Sequence, residues 1–239
     1  MPKKKLRIDL SSSIFAHYIE KKMLYVDKSM FIEHFMGNPS AVLLITRPRR
    51  MGKSLNMNML AEFLDCKKNS ARLFKGLKIE KRKAFKEHLN KYPVIYLDFK
   101  NFSPTYYRST LRDQLVRHIN KYLNPKQYTE QIKRIVENEN NEKEENLYSL
   151  TENLHLAYGV KPVILIDEYD RLLMDCLHRS DYEEIRNYIS QVFEFAFKGN
   201  PHIEKVLLTG ILRISQESMF SKLNNVRVFD VFEPSEFDE

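Results

Sequence analysis

The chain has 239 residues, 43% of them hydrophobic and 30% charged, with a formal net charge of +7. That balance supports the core of one large domain, or of one domain with additions, and the absence of any apolar run of roughly 18 residues excludes a spanning helix. Two cysteines far apart, Cys66 and Cys176, exclude a disulfide framework and a cysteine metal set and point to a reducing, cytoplasmic setting.

The basic start, Met1 to Arg7, is followed by Asp9 and three serines instead of an apolar stretch, which is unlike a secretory signal. Residues 1–13 therefore read as a flexible basic terminus and 14–239 as one domain. Ile14 to Glu20 predicts a short helix and Met23 to Val26 an extended piece. Lys28 to Met36 predicts a second helix, with Asp27 and Ser29 as caps. Gly37-Asn38-Pro39-Ser40 is a turn. Residues 41–46 form the first buried strand.

A helix follows from Lys53, with Leu55, Met59, Leu60, Phe63 and Leu64 at helical spacing. Residues 65–92 are polar and basic, with a helix around Lys81–Leu89. Pro93 to Phe99 is a second strand, apolar almost throughout, as strands covered on both faces tend to be. Tyr106 to Tyr122 is amphipathic and helical. The acidic run 137–146 is an exposed loop or helix junction. A helix over 147–158 closes at Gly159. Pro162 to Asp167 is a third strand, a long helix spans about 181–197, and Lys205 to Gly210 is a fourth strand. Ser215 to Lys222 is a short helix and Val226 to Phe229 a fifth strand. Buried strands alternating with helices imply an α/β fold with right-handed crossovers and a parallel sheet.

The chemistry gathers at two places. Arg47-Pro48-Arg49-Arg50-Met51-Gly52-Lys53-Ser54 joins a buried strand to a helix. In that context backbone N–H groups and the helix dipole face an anion, Lys53 reaches terminal phosphates and the Ser54 hydroxyl ligates Mg²⁺. The usual first glycine of such a loop is here Arg47, which counts against the reading. The second place is Asp167-Glu168, directly after four apolar residues. An aspartate there holds Mg²⁺ through water, and the glutamate polarises an attacking water. The competing explanations are an ordinary helix cap at Gly52-Lys53-Ser54 and a solvated acidic turn at Asp167-Glu168.

Thr209 ends the fourth strand and would sense a terminal phosphate, or merely satisfy a turn. Arg213 would contact phosphates in its own chain or a neighbour's, or be a surface arginine. Tyr25, Asp27 and Lys28 stand where adenine contacts are placed in such enzymes, although capping and packing explain them equally well. Arg47, Arg49 and Arg50 would clamp phosphate, or contact nucleic acid or another subunit, and Pro48 stiffens the loop.

The loop through Leu55, together with Tyr25-Val26-Asp27-Lys28-Ser29, Pro93 to Phe99, Asp167-Glu168-Tyr169-Asp170, Thr209-Gly210-Ile211-Leu212-Arg213 and Ser221 to Asn225, resembles the predicted AAA-ATPase-like family. The resemblance covers most of residues 14–229. In that family Arg or Lys commonly replaces the first loop glycine. The resemblance implies a three-layer phosphate-loop NTPase with a mainly parallel five-stranded sheet in the order 5-1-4-3-2. It also implies ATP at residues 47–55, Mg²⁺ at Ser54 and Asp167, and Glu168 as the hydrolytic glutamate, the features named Walker A and Walker B. Members often carry a C-terminal nuclease-like domain, and here neither that domain nor a helical lid is expected.

The leading expectation is thus a Mg²⁺-dependent ATPase domain. Its rivals are a nucleotide-binding switch with negligible hydrolysis, a nucleic-acid-binding module and a small-molecule kinase, with a homo-oligomer or protein partner left open.

Overall fold

The structure, a computed structural model, describes residues 12–137, 142–211, 226–230 and 237. The apolar runs become five strands: β1 (Val42–Thr46), β2 (Val94–Asp98), β3 (Val163–Asp167), β4 (Lys205–Gly210) and β5 (Val226–Phe229). All pairings are parallel, in the order β2-β3-β4-β1-β5, which is the expected 5-1-4-3-2 sheet read from its other edge.

Alternate residues of each strand face opposite layers. Val42 and Leu44 of β1 and Ile164 and Ile166 of β3 face one core. It is shared with α5 (Tyr107–Tyr122), α6 (Glu130–Glu137), α7 (Asn146–Tyr158), α8 (Arg171–Cys176) and α9 (Tyr182–Phe197). Leu43, Ile45 and Leu165 face the other core, shared with α1 (Phe15–Glu20), α2 (Met30–Gly37), α3 (Lys53–Leu64) and α4 (Lys83–His88). The result is a three-layer α/β fold. Every residue of β1, β3 and β4 is buried, which is why these strands read as continuous apolar runs without alternation.

The edge strand β2 is closed by side chains from one helix. Residues 94, 96 and 98 turn their backbone groups away from β3, and an uncovered row of this kind is a template for aggregation. Gln114, His118 and Tyr122, four residues apart along α5, meet them in turn. Gln114 accepts from Asp98 N at 2.9 Å and donates to Asp98 O at 2.9 Å. His118 Nε2 lies 3.1 Å from Tyr96 N and 2.8 Å from Tyr96 O. The Tyr122 hydroxyl accepts from Val94 N at 2.9 Å and also reaches Val94 O and Asp65 Oδ1.

Two helices escaped the sequence reading. In α6 only Ile132 and Ile135 are buried, too few apolar positions to show a period. In α8 the apolar residues lie directly after the acidic turn. At the ends of the acidic run 137–146, α6 stops at Glu137 and α7 begins at Asn146, and residues 138–141 between them lie outside the described residues. The expected helix Ser215–Lys222 lies outside the described residues.

Candidate functional site

Between the end of β1 at Thr46 and the start of α3 at Lys53 the chain must reverse within six residues. It does so through two left-handed residues, Arg50 with φ of 67° and Gly52 with φ of 75°. Glycine adopts that region freely, whereas for Arg50 the conformation costs about 1–2 kcal/mol. The free N–H groups and positive dipole end of α3 then face the hollow of the loop. Lys53 curls into it, its Nζ donating to the carbonyls of Arg47 at 2.8 Å and Pro48 at 2.9 Å. Burial lowers the Lys53 pKa, and the nearby carboxylates of Asp167, Glu168 and Asp170 oppose that shift.

Arg47, which stands where a glycine is usual, is buried at 8% exposure. Its N–H donates to Gly210 O at 3.1 Å, and its guanidinium donates to Asp230 O at 2.7 Å. Strand β1 lies between β4 and β5, so Arg47 bridges the last residue of β4 and the residue just past β5. A glycine would leave that carbonyl without its cationic donor. Pro48, Arg49, Arg50 and Met51 are exposed on the loop, Ser54 is half-buried beside Lys53, and Leu55 turns to the α3 core.

On the far side of β4, Asp167 ends β3 at 4% exposure. Thr209 Oγ1 donates to Asp167 Oδ1 at 2.5 Å from the β4 side, and the Tyr96 hydroxyl donates to Oδ2 at 3.4 Å from the β2 side. Each carboxylate oxygen is thereby oriented by a neighbouring strand. Glu168 follows with φ of 53°, a conformation rare for a residue with a side chain. Burial, and then the charge of Asp167, push the Glu168 carboxyl above its ordinary range. Asp98 pairs in register with Asp167, and its carboxyl is also raised, first by burial and also by Asp167.

The turn after β3 is anchored to β4. Tyr169 N donates to Thr209 O at 3.0 Å, and Asp170 Oδ2 accepts from Ile211 N at 2.8 Å. A Cβ at Gly210 would sit 2.5 Å from the Tyr169 ring and 2.9 Å from Asp170 Oδ1. Only glycine lets this turn lie so close to the end of β4.

Comparison with known proteins gives the chain a family. The model of the family described as "Predicted AAA-ATPase" matches residues 10–220. The chain belongs to this predicted AAA-ATPase family. A curated relative, described as an uncharacterized protein in the vnfD 5' region of Azotobacter chroococcum mcd 1, is 30% identical over 230 residues, covering 95% of this chain and 41% of the relative. The chain thus spans less than half the length of that relative. No solved structure matches it.

The family description points, at a coarse level, to nucleotide binding by this AAA-ATPase-like chain. Its loop, Thr209 and Asp167-Glu168 converge at one end of the sheet, whereas Arg213 lies outside the described residues. Tyr25 and Asp27 have structural partners: the Tyr25 hydroxyl contacts Met59 Sδ at 3.2 Å, and Asp27 accepts from Ser29 N at 2.9 Å and Lys78 N at 2.8 Å. Lys28 lines a cavity beside the loop, together with Phe31, His34, Arg47, Lys53, Thr209 and Phe237.

Sequence reasoning passed over Tyr96, Asp98 and Phe237. The first two sit in a strand read for its apolar pattern and as a motif of the resemblance, with no site role given to either, and their place beside Asp167 depends on strand register. Among the described residues, no three His, Cys, Asp or Glu side chains converge as a metal site. The donor set instead fits Mg²⁺, which is held by one or two carboxylate or hydroxyl oxygens together with phosphates and water. The residues available to hold it are Asp167 and Ser54. No described helix is long and apolar enough to cross a membrane, and both cysteines are free thiols.

Proposed function

We propose that this domain binds ATP at the loop and hydrolyses it to ADP and phosphate. The observation that carries the reading is the convergence of Lys53, Thr209 and Asp167-Glu168 at the carboxyl ends of β1, β4 and β3. Lys53, released from the loop carbonyls, would meet the terminal phosphates, and the N–H groups of the α3 start would meet their oxygens. Mg²⁺ at Asp167 and Ser54 supplies charge neutralisation when bound.

Thr209 and Tyr96 orient the Asp167 carboxylate. Glu168 takes the proton from a water whose oxygen bonds to the γ-phosphorus, while the bond to the bridging oxygen breaks and ADP leaves. A carboxyl held above its ordinary pKa is a better proton acceptor at neutral pH than an unperturbed one. Phe31, His34 and Phe237, on the cavity wall beside Lys53, form the part of the site suited to the base.

The test is a thermal-shift titration with MgATP, followed by phosphate release, on the wild type and on Lys53→Ala. The wild type should be stabilised and the variant should not. A wild-type melting temperature unmoved by MgATP overturns the reading. Binding without turnover turns it into a nucleotide-binding switch.

A further inference from the structure

The net positive charge of the chain is not spread over its surface. Residues 65–92, between α3 and β2, contain ten Lys and Arg against three Asp and Glu, a net +7 that equals the formal charge of the whole chain. All ten basic residues are exposed. The segment folds as 3₁₀ turns at Ala71–Phe74 and Lys78–Lys81, followed by α4. Leu73, Phe74, Ile79 and Ala84 anchor it in the core.

Its backbone is held firmly. Asp27 accepts from Lys78 N, and Ser29 Oγ accepts from Ile79 N at 3.1 Å. The lysines therefore project from fixed positions. Lys78 and Lys81, three apart in a 3₁₀ turn, share one face.

Ion pairs neutralise only part of this charge. Lys68, Arg72, Arg82 and Lys83 pair with Glu62, Glu20, Glu33 and Glu87. Lys75, Lys78, Lys81, Lys86 and Lys91 form no ion pair with a described residue, and neither does Lys67, which lies over the Tyr158 ring. Folding leaves six like charges on one module, a self-repulsion that a polyanion relieves.

We infer that residues 65–92 form a binding surface for the phosphodiester backbone of nucleic acid, read without regard to base sequence. One observation selects nucleic acid over a protein or a lipid surface, and a second selects its paired form. None of the exposed large apolar side chains among the described residues lies between Met51 and Tyr106. The surface thus lacks both the apolar anchors that hold a protein partner and those that enter a lipid layer. It equally lacks an exposed aromatic for stacking unpaired bases. What remains is a set of lysine point charges, the chemistry of counterion release along a phosphate backbone. The inference is independent of the nucleotide reading, since none of these residues lines the cavity at the loop.

The test is fluorescence anisotropy of the full chain with a short random-sequence DNA duplex over a salt series. The wild type should bind at about 50 mM salt, with the logarithm of affinity falling by about 0.9 per phosphate contact per log unit of salt. Replacing Lys75, Lys81, Lys86 and Lys91 together by Ala should cut that slope by roughly three and weaken binding more than about tenfold. The same four changed to Arg should bind as the wild type does. MgATP affinity and melting temperature should be the same in all three proteins.

A second readout needs no variant: bound DNA should shield these lysines of the wild type from an amine-reactive label. The inference is overturned by absent wild-type binding at low salt, by an alanine variant that binds like the wild type, or by shielding elsewhere on the chain. It is equally overturned if phosphatidylserine vesicles or polyglutamate compete more strongly than DNA, since the surface would then belong to a membrane or an acidic protein.

Discussion

Thr209 Oγ1 donates to Asp167 Oδ1 over 2.5 Å, linking the carboxyl ends of β4 and β3 beneath the loop. Both residues are almost fully buried, so water cannot replace the bond if it is lost. Thr209→Val keeps the shape and the β-branching and removes only the donor. It should destabilise the fold by about 1–3 kcal/mol, the cost of a buried acceptor left short of a partner. It should also weaken ATP binding in Mg²⁺ more than in EDTA. Urea denaturation and calorimetric titration with and without Mg²⁺ check both parts, and equal losses in the two buffers would detach Thr209 from the metal.

Glu168 carries a raised carboxyl pKa, caused first by burial and then by Asp167. As a base it must be deprotonated, so turnover should fall as pH drops through that raised value. The acid limb of the pH–rate profile should therefore lie above the ordinary carboxylate range. Glu168→Gln should retain ATP and lose turnover by roughly 10²–10⁴-fold. Full activity in the variant would assign the proton to another group.

Gly210 has no room for a methyl group beside Tyr169 and Asp170. The nearest atoms belong to a fully buried ring that cannot swing away. Gly210→Ala should cost roughly 1–3 kcal/mol, as overpacking does, and adding Tyr169→Leu should recover part of it. An unchanged urea midpoint for Gly210→Ala would mean that the turn after β3 shifts freely.

His118 holds the middle of the β2 edge, and its Nδ1 is buried without a hydrogen-bond partner. Protonation would place a second N–H there with no acceptor, and burial, the largest cause, lowers the pKa from the ordinary 6.5 to about 4. The folded state therefore refuses a proton that the unfolded chain accepts. Stability should be fully present above pH 6.5 and decline as pH falls toward about 4, with a slope of at most about 1.4 kcal/mol per pH unit. His118→Gln should flatten the curve in that window relative to the wild type. Parallel curves would leave the acid sensitivity to the carboxylates.

The sequence by itself determined the local chemistry: a buried strand, Gly52-Lys53-Ser54 and a helix, and a second buried strand ending in Asp167-Glu168. These features were legible because they depend on neighbours in the chain, through apolar runs, a left-handed glycine and a helix start. The strand order was not read from the residues; it came with the family resemblance. Tertiary structure alone decided what Arg47 does, because its partner Asp230 is distant in sequence and comes near only when β5 pairs beside β1. It also decided that Tyr96 orients Asp167, that Gln114, His118 and Tyr122 close an edge strand, and that the basic side chains of residues 65–92 are all left exposed. The physical reason is common to all of these. A side chain's partner across a sheet or a layer is set by register and packing, which many distant residues fix together and no short stretch encodes.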